Sequence, residues 1–222
     1  MTGNPGTGKT TVARLYAQIL KSLGFLARGH MVEATRSDLV AEYMGQSATK
    51  TRQLCQRAYG GVLFIDEAYS LCHGERDEFG KEAIGELIVQ MENERRRLVV
   101  ILAGYSREMH EFFNANSGIR SRIGQTIEFP DYSAGELWQI FQRAMQGGSV
   151  PLTASDGVQR LIQQKIKLMH ATRDTNFGNA REMERLLAAI RGCLMLRVSE
   201  GGITGEARYR ITPEDVEHCG IP

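Results

Sequence analysis

The chain has 222 residues, 42% of them hydrophobic and 24% charged, with a formal net charge of +1 at pH 7. That length supports one large domain, or one medium and one small, around a real core. The balanced charge argues against a basic, nucleic-acid-coating surface; no apolar run approaches ~18 residues and no signal-peptide pattern opens the sequence, so neither a membrane span nor secretion is expected.

The first stretch with a chemical meaning is Gly3 to Thr11, GNPGTGKTT, which satisfies G-x-x-x-x-G-K-[ST] without a mismatch. Gly3, Gly6 and Gly8 let the backbone turn its N–H groups inward around the β- and γ-phosphates of a nucleotide, with Asn4, Pro5 and Thr7 in the same loop. Lys9 supplies a point charge to those oxygens. The Thr10 hydroxyl is placed to ligate Mg²⁺, and the helix that starts here adds its positive dipole end to the anion site. Thr11 is a supporting neighbour. Val12, Leu15, Ile19 and Leu23 fall on one apolar face of that helix, and Gly24 closes it. Only Met1 and Thr2 precede the loop, so the buried strand that feeds such a loop is expected upstream.

Next, 30–34 (HMVEA) reads as a strand, and Ser37-Asp38 opens a short amphipathic piece through Leu39, Val40 and Tyr43. A helix is expected over 48–59, ended by Gly60-Gly61. Val62 to Ile65 (VLFI) is an unbroken apolar run suited to the middle of a parallel sheet. The apolar spacing of Ala83, Ile84, Leu87, Ile88 and Met91 predicts a helix over 79–94. Leu98 to Ala103 (LVVILA) is a second buried strand, 106–114 a short helix, and 125–129 (QTIEF) a third strand. This alternation is that of an α/β fold with a parallel sheet built from crossover units.

The strand ending at Asp66-Glu67 completes the chemistry. Asp66 can hold the hydration shell of Mg²⁺ across from Thr10, and Glu67 can polarise a water for attack on the γ-phosphate, which points to hydrolysis rather than passive binding.

Beyond Pro130-Asp131 the pattern is helical. Ser133-x-x-Glu136 and Thr153-x-x-Asp156 read as capping boxes, and Thr212-Pro213-Glu214-Asp215 puts Pro at a first helical position. Trp138 and the run of Leu186, Leu187, Ile190 and Leu194 are expected in a core, with a short hairpin near 201–211. The division expected is a nucleotide-binding α/β domain over 1–131 and a small helical lid over 132–222. The four cysteines, Cys55, Cys72, Cys193 and Cys219, show no C-x-x-C pair and no histidine at metal-ligand spacing. That usage points to reduced thiols in a cytoplasmic protein.

Taken in order, GNPGTGKTTVAR, AEYMGQSATKT, VLFIDEAYSL, FGKEAIGELIVQMEN, LVVILAGY, SGIRSRI, EFPDYS and NFGNAR resemble the CbxX/CfqX family of AAA+ ATPases. That family includes red-type Rubisco activases and relatives tied to sporulation and type VII secretion. The resemblance covers essentially the whole chain. It implies a P-loop NTPase fold with a C-terminal helical lid, ATP and Mg²⁺ as ligands, and a homo-hexameric ring with nucleotide between neighbours. It implies a trans-acting arginine, Arg122 first and Arg120 second, that reaches the next subunit's γ-phosphate. Arg181, in Asn179-Ala180-Arg181, matches a second sensor that touches phosphate in cis. Tyr43-Met44-Gly45 matches a pore loop that grips a protein client, the Rubisco large subunit being one such client. The first sensor is left open among Tyr105, Ser106 and another group, because the strand continues as Ala103-Gly104-Tyr105-Ser106 without the usual Asn or Thr. The competing readings are a nucleic-acid AAA+ ATPase of the clamp-loader or initiator type, a secretion- or sporulation-linked ATPase, a binding-only scaffold, and a small-molecule kinase. The near-neutral charge disfavours the first of these, and the intact Asp66-Glu67 disfavours the scaffold.

Overall fold

A computed structural model of the chain describes all residues except Met44, His73, Glu75, Arg76, Gly148, Ser149 and Pro222. The chain forms two compact units: Met1–Gly3 with Gly8–Phe129, and Asn4–Thr7 with the segment from Pro130 onward.

The first unit contains β1 (Thr2–Gly3), α1 (Lys9–Ser22), β2 (Met31–Ala34), α2 (Arg36–Leu39), α3 (Ser47–Ala58), β3 (Gly61–Ile65), α4 (Glu78–Asn93), β4 (Leu98–Leu102), α5 (Ser106–Ala115), α6 (Ser117–Arg120) and β5 (Glu128–Phe129). All strand pairings are parallel. β3 lies between β2 and β4, and β1 pairs with β5. Thr2 also bridges to Gly104, just past β4, so Gly3, Gly104 and the end of β3 share the carboxyl edge of the strands.

The apolar run of β3 is buried at every position, as a strand covered on both faces requires. Its side chains alternate. Leu63 and Ile65 join a core with Leu54 of α3 and Leu87 of α4, whereas Val62 and Phe64 join Ala13 and Ala17 of α1. The α/β architecture expected from the sequence is therefore the one observed.

One helical face differs from expectation. α1 turns Ala13 and Ala17 inward, while Val12, Leu15, Ile19 and Leu23 are 39–64% exposed. The sheet is approached through small side chains, and the large apolar stripe lies to one side of that contact. The strand expected over 125–129 is shorter than its pattern, pairing only at Glu128 and Phe129.

The second unit contains α7 (Ala134–Gln146), β6 (Thr153–Ala154), α8 (Asp156–Ala171), α9 (Ala180–Glu200), β7 (Arg210–Ile211) and α10 (Pro213–Glu217). α7 starts with the Ser133/Glu136 capping box and α10 with a Thr212/Asp215 box and Pro at its first turn. α9 buries Met183, Leu186, Leu187, Ile190 and Leu194 in one core with Leu137, Phe141 and Met145 of α7. Trp138 is half-buried beside that core and stacks on Phe141 at 5.9 Å. Two expectations are corrected here. α8 is capped at Ser155, because Thr153 and Ala154 form β6. The expected hairpin near 201–211 is instead a short 3₁₀ turn over Gly205–Tyr209 leading into β7, which pairs in parallel with β6.

A buried ion pair ties this unit together. Arg197 of α9 donates through Nε and Nη2 to Asp215 of α10, each at 2.9 Å, with the Asp215 side chain 2% exposed. Burial works to raise the Asp215 carboxyl. The Arg197 guanidinium and the Thr212 donors overcome it and hold the group below the usual carboxylate value.

Candidate functional site

The phosphate-loop motif begins at the end of β1 and runs into α1. At its start, Gly3 has φ 145°, and a Cβ there would lie 2.3 Å from the Phe129 carbonyl oxygen, so the close β1–β5 approach requires glycine. At its end, Gly8 is the N-cap of α1 with φ 93°, and Val12 donates to its carbonyl at 2.9 Å. Lys9 opens α1 and its Nζ donates to the Gly3 carbonyl at 2.8 Å, closing the loop on itself. Thr10 follows in the first helical turn, half-buried, and Thr11 is exposed.

Asp66 leaves β3 with its N–H on the Ala34 carbonyl at 2.9 Å, and its Oδ1 accepts from the Glu67 N–H at 3.0 Å. Glu67 is exposed and left-handed, with φ 48° and ψ 45°. A non-glycine residue held in that region costs on the order of 1 kcal/mol or more. The bend is held from both sides, since Ala68 donates to Ala103 and Ser70 to the Glu67 carbonyl. Asp66 and Glu67 thus stand at the end of β3, next to the Ala103-Gly104 segment on which β1 pairs. Open α/β sheets place ligands at this edge.

Tyr69 carries no local pattern that marks its place here. Its ring fills the space over Gly104, where a Cβ would lie 2.8 Å from Tyr69 Cδ1, and it meets Tyr105 at 6.0 Å. Burial pushes its phenol up to about 12, reinforced by the Glu67 carboxylate, so it stays protonated. The glycine in Ala103-Gly104-Tyr105 is accounted for by this ring. Tyr105 and Ser106 form the entry to α5, Tyr105 as its N-cap.

Thr10 and Asp66 contribute one hydroxyl and one carboxylate. No group of three or more His, Cys, Asp or Glu side chains that could hold a metal occurs among the described residues. A hydroxyl and a carboxylate are hard oxygen donors of the kind Mg²⁺ takes, one or two from the protein with phosphates and water as the rest.

The two candidate trans arginines follow α5. Arg120 Nη1 donates to Asn114 Oδ1 at 3.2 Å. Arg122 reaches back to α4, with Nε 3.3 Å from Glu92 and Nη1 on the Gly118 carbonyl at 3.1 Å. Between α2 and α3, Tyr43 is 68% exposed and so is no part of the core, and Gly45 has φ 80° with open space around it. Met44 lies outside the described residues.

In the second unit the middle of the loop is itself a bonded element. The Asn4 amide donates to Asp131 at 3.0 and 3.2 Å, Thr7 Oγ1 to the Asn4 carbonyl at 2.8 Å, and Tyr132 Oη to the Thr7 carbonyl at 3.1 Å. Asn179, fully buried, donates to Asp131 at 2.8 Å and to the Pro5 carbonyl at 3.3 Å. Gly6 approaches so closely that a Cβ would lie 2.0 Å from the Gly178 carbonyl oxygen. Arg181 sits in the first turn of α9 with an exposed side chain that makes no ion pair among the described residues.

Residues 1–131 match the family model for the ATPase family associated with various cellular activities (AAA), and residues 133–220 match the AAA lid domain. Protein CfxQ of Xanthobacter flavus is 46% identical over 202 residues, covering 90% of this chain and 62% of that protein. Stage V sporulation protein K of Bacillus subtilis is 43% identical, covering 83% of this chain and 57% of that protein. A chloroplastic ribulose bisphosphate carboxylase/oxygenase activase of Cyanidioschyzon merolae is 42% identical, covering 86% and 66%. The chain therefore spans 57–66% of the length of these relatives. Among solved structures, the FIGL-1 AAA domain in complex with ADP shares the fold at a TM-score of 0.66 and 20% identity, covering 99% of this chain and 69% of that one.

Proposed function

Because the chain belongs to the AAA family of ATPases, in the branch that contains CfxQ, we propose that it hydrolyses ATP and couples the reaction to remodelling a protein client. The observation that carries the chemistry is Asp66-Glu67 at the carboxyl end of β3, one strand from the segment that β1 joins on its way into the phosphate loop. In this reading residues 1–131 carry the nucleotide and 132–222 act as the lid.

The mechanism is in-line attack of a water on the γ-phosphate. Gly3 to Thr11 surround the phosphates, and Lys9 exchanges its internal acceptor, the Gly3 carbonyl, for phosphate oxygens. Thr10 and Asp66 would hold Mg²⁺, which would offset the negative charge of the phosphates. Glu67, exposed at its bend, orients and deprotonates the water. Arg122 of a neighbouring copy, with Arg120 as second choice, meets the charge of the transition state in a ring of six. Arg181 reads the phosphate in cis.

The client reading draws on Tyr43 and Gly45, an exposed aromatic beside an unencumbered glycine, with Met44 between them in the sequence. The name of the Cyanidioschyzon relative makes the Rubisco large subunit the first client to try, and the sporulation relative keeps a different client in view. No described helix is long and apolar enough to cross a membrane. The deciding experiment is phosphate release from ATP with and without inhibited Rubisco. Turnover that Glu67→Gln abolishes while ATP binding persists supports the reading; turnover unchanged by Glu67→Gln overturns it.

A further inference from the structure

The phosphate loop has two faces, and in the arc Asn4–Thr7 the carbonyl face is occupied. The Pro5 carbonyl accepts from the Asn179 amide at 3.3 Å, the Gly6 carbonyl from the Ala180 N–H at 3.2 Å, and the Thr7 carbonyl from the Tyr132 hydroxyl at 3.1 Å. In a planar trans peptide the C=O and the following N–H point in opposite directions. Pinning those three carbonyls therefore turns the amides of Gly6, Thr7 and Gly8 away from Asn179, Ala180 and Tyr132. Those three N–H groups donate to no protein atom among the described residues. They form a row of oriented donors, the arrangement that binds an anion.

Asn179 is the centre of the support. It is fully buried and sits at φ 49°, ψ −117°, a conformation an L residue rarely adopts. Its Nδ2 is shared among Asp131 Oδ1, the Pro5 carbonyl and the Phe177 carbonyl, and its Oδ1 accepts from the Tyr132 N–H at 3.0 Å. Asp131 in turn gathers the Asn4 and Asn179 amides on one carboxylate, with Arg173 at 4.0 Å. We propose that Asn179 and Asp131 are positioning residues for nucleotide binding: they hold the loop by its carbonyls so that its amides are preset for the phosphates of a nucleoside di- or triphosphate. The Asn179-Ala180-Arg181 motif then has a structural part in the asparagine, separate from any role of the arginine. This inference rests on the ATP reading above.

The test uses Asn179→Gly, which accepts the positive φ and removes only the side-chain amide, beside Asn179→Ala, which removes the amide and strains the backbone as well. Binding is read with a fluorescent ATP analogue and a fluorescent ADP analogue, turnover by phosphate release, and fold by thermal melting without nucleotide. Asn179→Gly is expected to fold but melt below wild type, and to weaken both nucleotides and raise KM for ATP about tenfold, since buried hydrogen bonds that hold the loop are lost. Its kcat at saturating ATP is expected to stay within about twofold, because Lys9, Asp66 and Glu67 are untouched. Asn179→Ala is expected to be weaker still. Affinity and KM for Asn179→Gly equal to wild type, in a folded protein, would overturn the inference; so would a fall in kcat with KM unchanged. If Asn179→Gly does not fold, Asp131→Asn decides by the same readings, with a raised KM supporting the role and an unchanged KM overturning it. A wild-type chain that binds neither analogue overturns the ATP reading and this inference with it, and is recognised before any variant is made.

Discussion

Two carboxylate neighbourhoods in this molecule are treated in opposite ways. Asp66-Glu67 ends a strand at the open edge of the sheet, where Glu67 is exposed, strained in φ, and has no side-chain partner among the described residues. Asp131 is saturated, its two oxygens shared between the Asn4 and Asn179 amides inside a network that also fixes three loop carbonyls. On the function proposed above, the group that would meet a substrate keeps unused hydrogen-bonding capacity, and the group that would hold the loop's shape has most of its own in use. The strain at Glu67 and at Asn179 marks both sites, but one bend presents a side chain and the other buries it.

The contrast can be broken or sharpened by substitution. The largest effect is expected at Glu67: Glu67→Gln should lower kcat about 10²–10⁴-fold, the usual contribution of a positioned general base, with analogue binding retained; single-turnover phosphate release measures it. The next falls on a third carboxylate, Asp215, which like Asp131 is fully engaged by its neighbours. Asp215→Ala leaves the largely buried Arg197 without its partner and should cost about 3–5 kcal/mol of stability by urea titration. The same pair gives a pH dependence. Because the Asp215 carboxyl lies below its unfolded value, its stabilisation is present above about pH 4 and is lost as pH falls through the lowered folded value. Asp215→Asn should flatten that part of the acid-denaturation profile. At Gly6, with φ 68° and the Gly178 carbonyl in the way, Gly6→Ala should strain the arc by about 1–3 kcal/mol and weaken ATP binding, checked by melting and by fluorescence titration. The smallest effect is expected for the exposed Tyr43: Tyr43→Ala should move stability by less than about 0.5 kcal/mol while abolishing client remodelling. A large loss of stability would show that the ring packs in the fold and would remove it from the pore reading.

Much of the first unit was legible because its signals are local. The phosphate-loop glycines, the VLFI strand and its acidic end, and the helix of α4 each follow from a short window of sequence. What was not legible depended on partners far along the chain. β6 and β7 are two residues each and pair in parallel across more than fifty positions, so the local pattern of 201–211 suggested a hairpin and Thr153 suggested a cap. The α1 stripe of Val12, Leu15, Ile19 and Leu23 has helical periodicity, but periodicity does not say which face meets the sheet, and the alanines won. The supporting roles of Asp131 and Asn179 were hidden for a similar reason. Asn4 and Asp131 are 127 positions apart, and the motif around Asn179 drew attention to its arginine. Tyr69 was missed because its meaning lies in the space above Gly104.

The alanine contact of α1 has a mechanical consequence. Ala13 and Ala17 let the helix axis settle close to Val62, Phe64 and Ala103, and Lys9 and Thr10 ride on the first turn of that same rod. Enlarging Ala13 or Ala17 to Leu would overpack the seam at about 1–3 kcal/mol and lift the rod as a lever, displacing the lysine and threonine together. On the function proposed above, the placement of Lys9 and Thr10 would therefore depend partly on two methyl groups outside the phosphate loop.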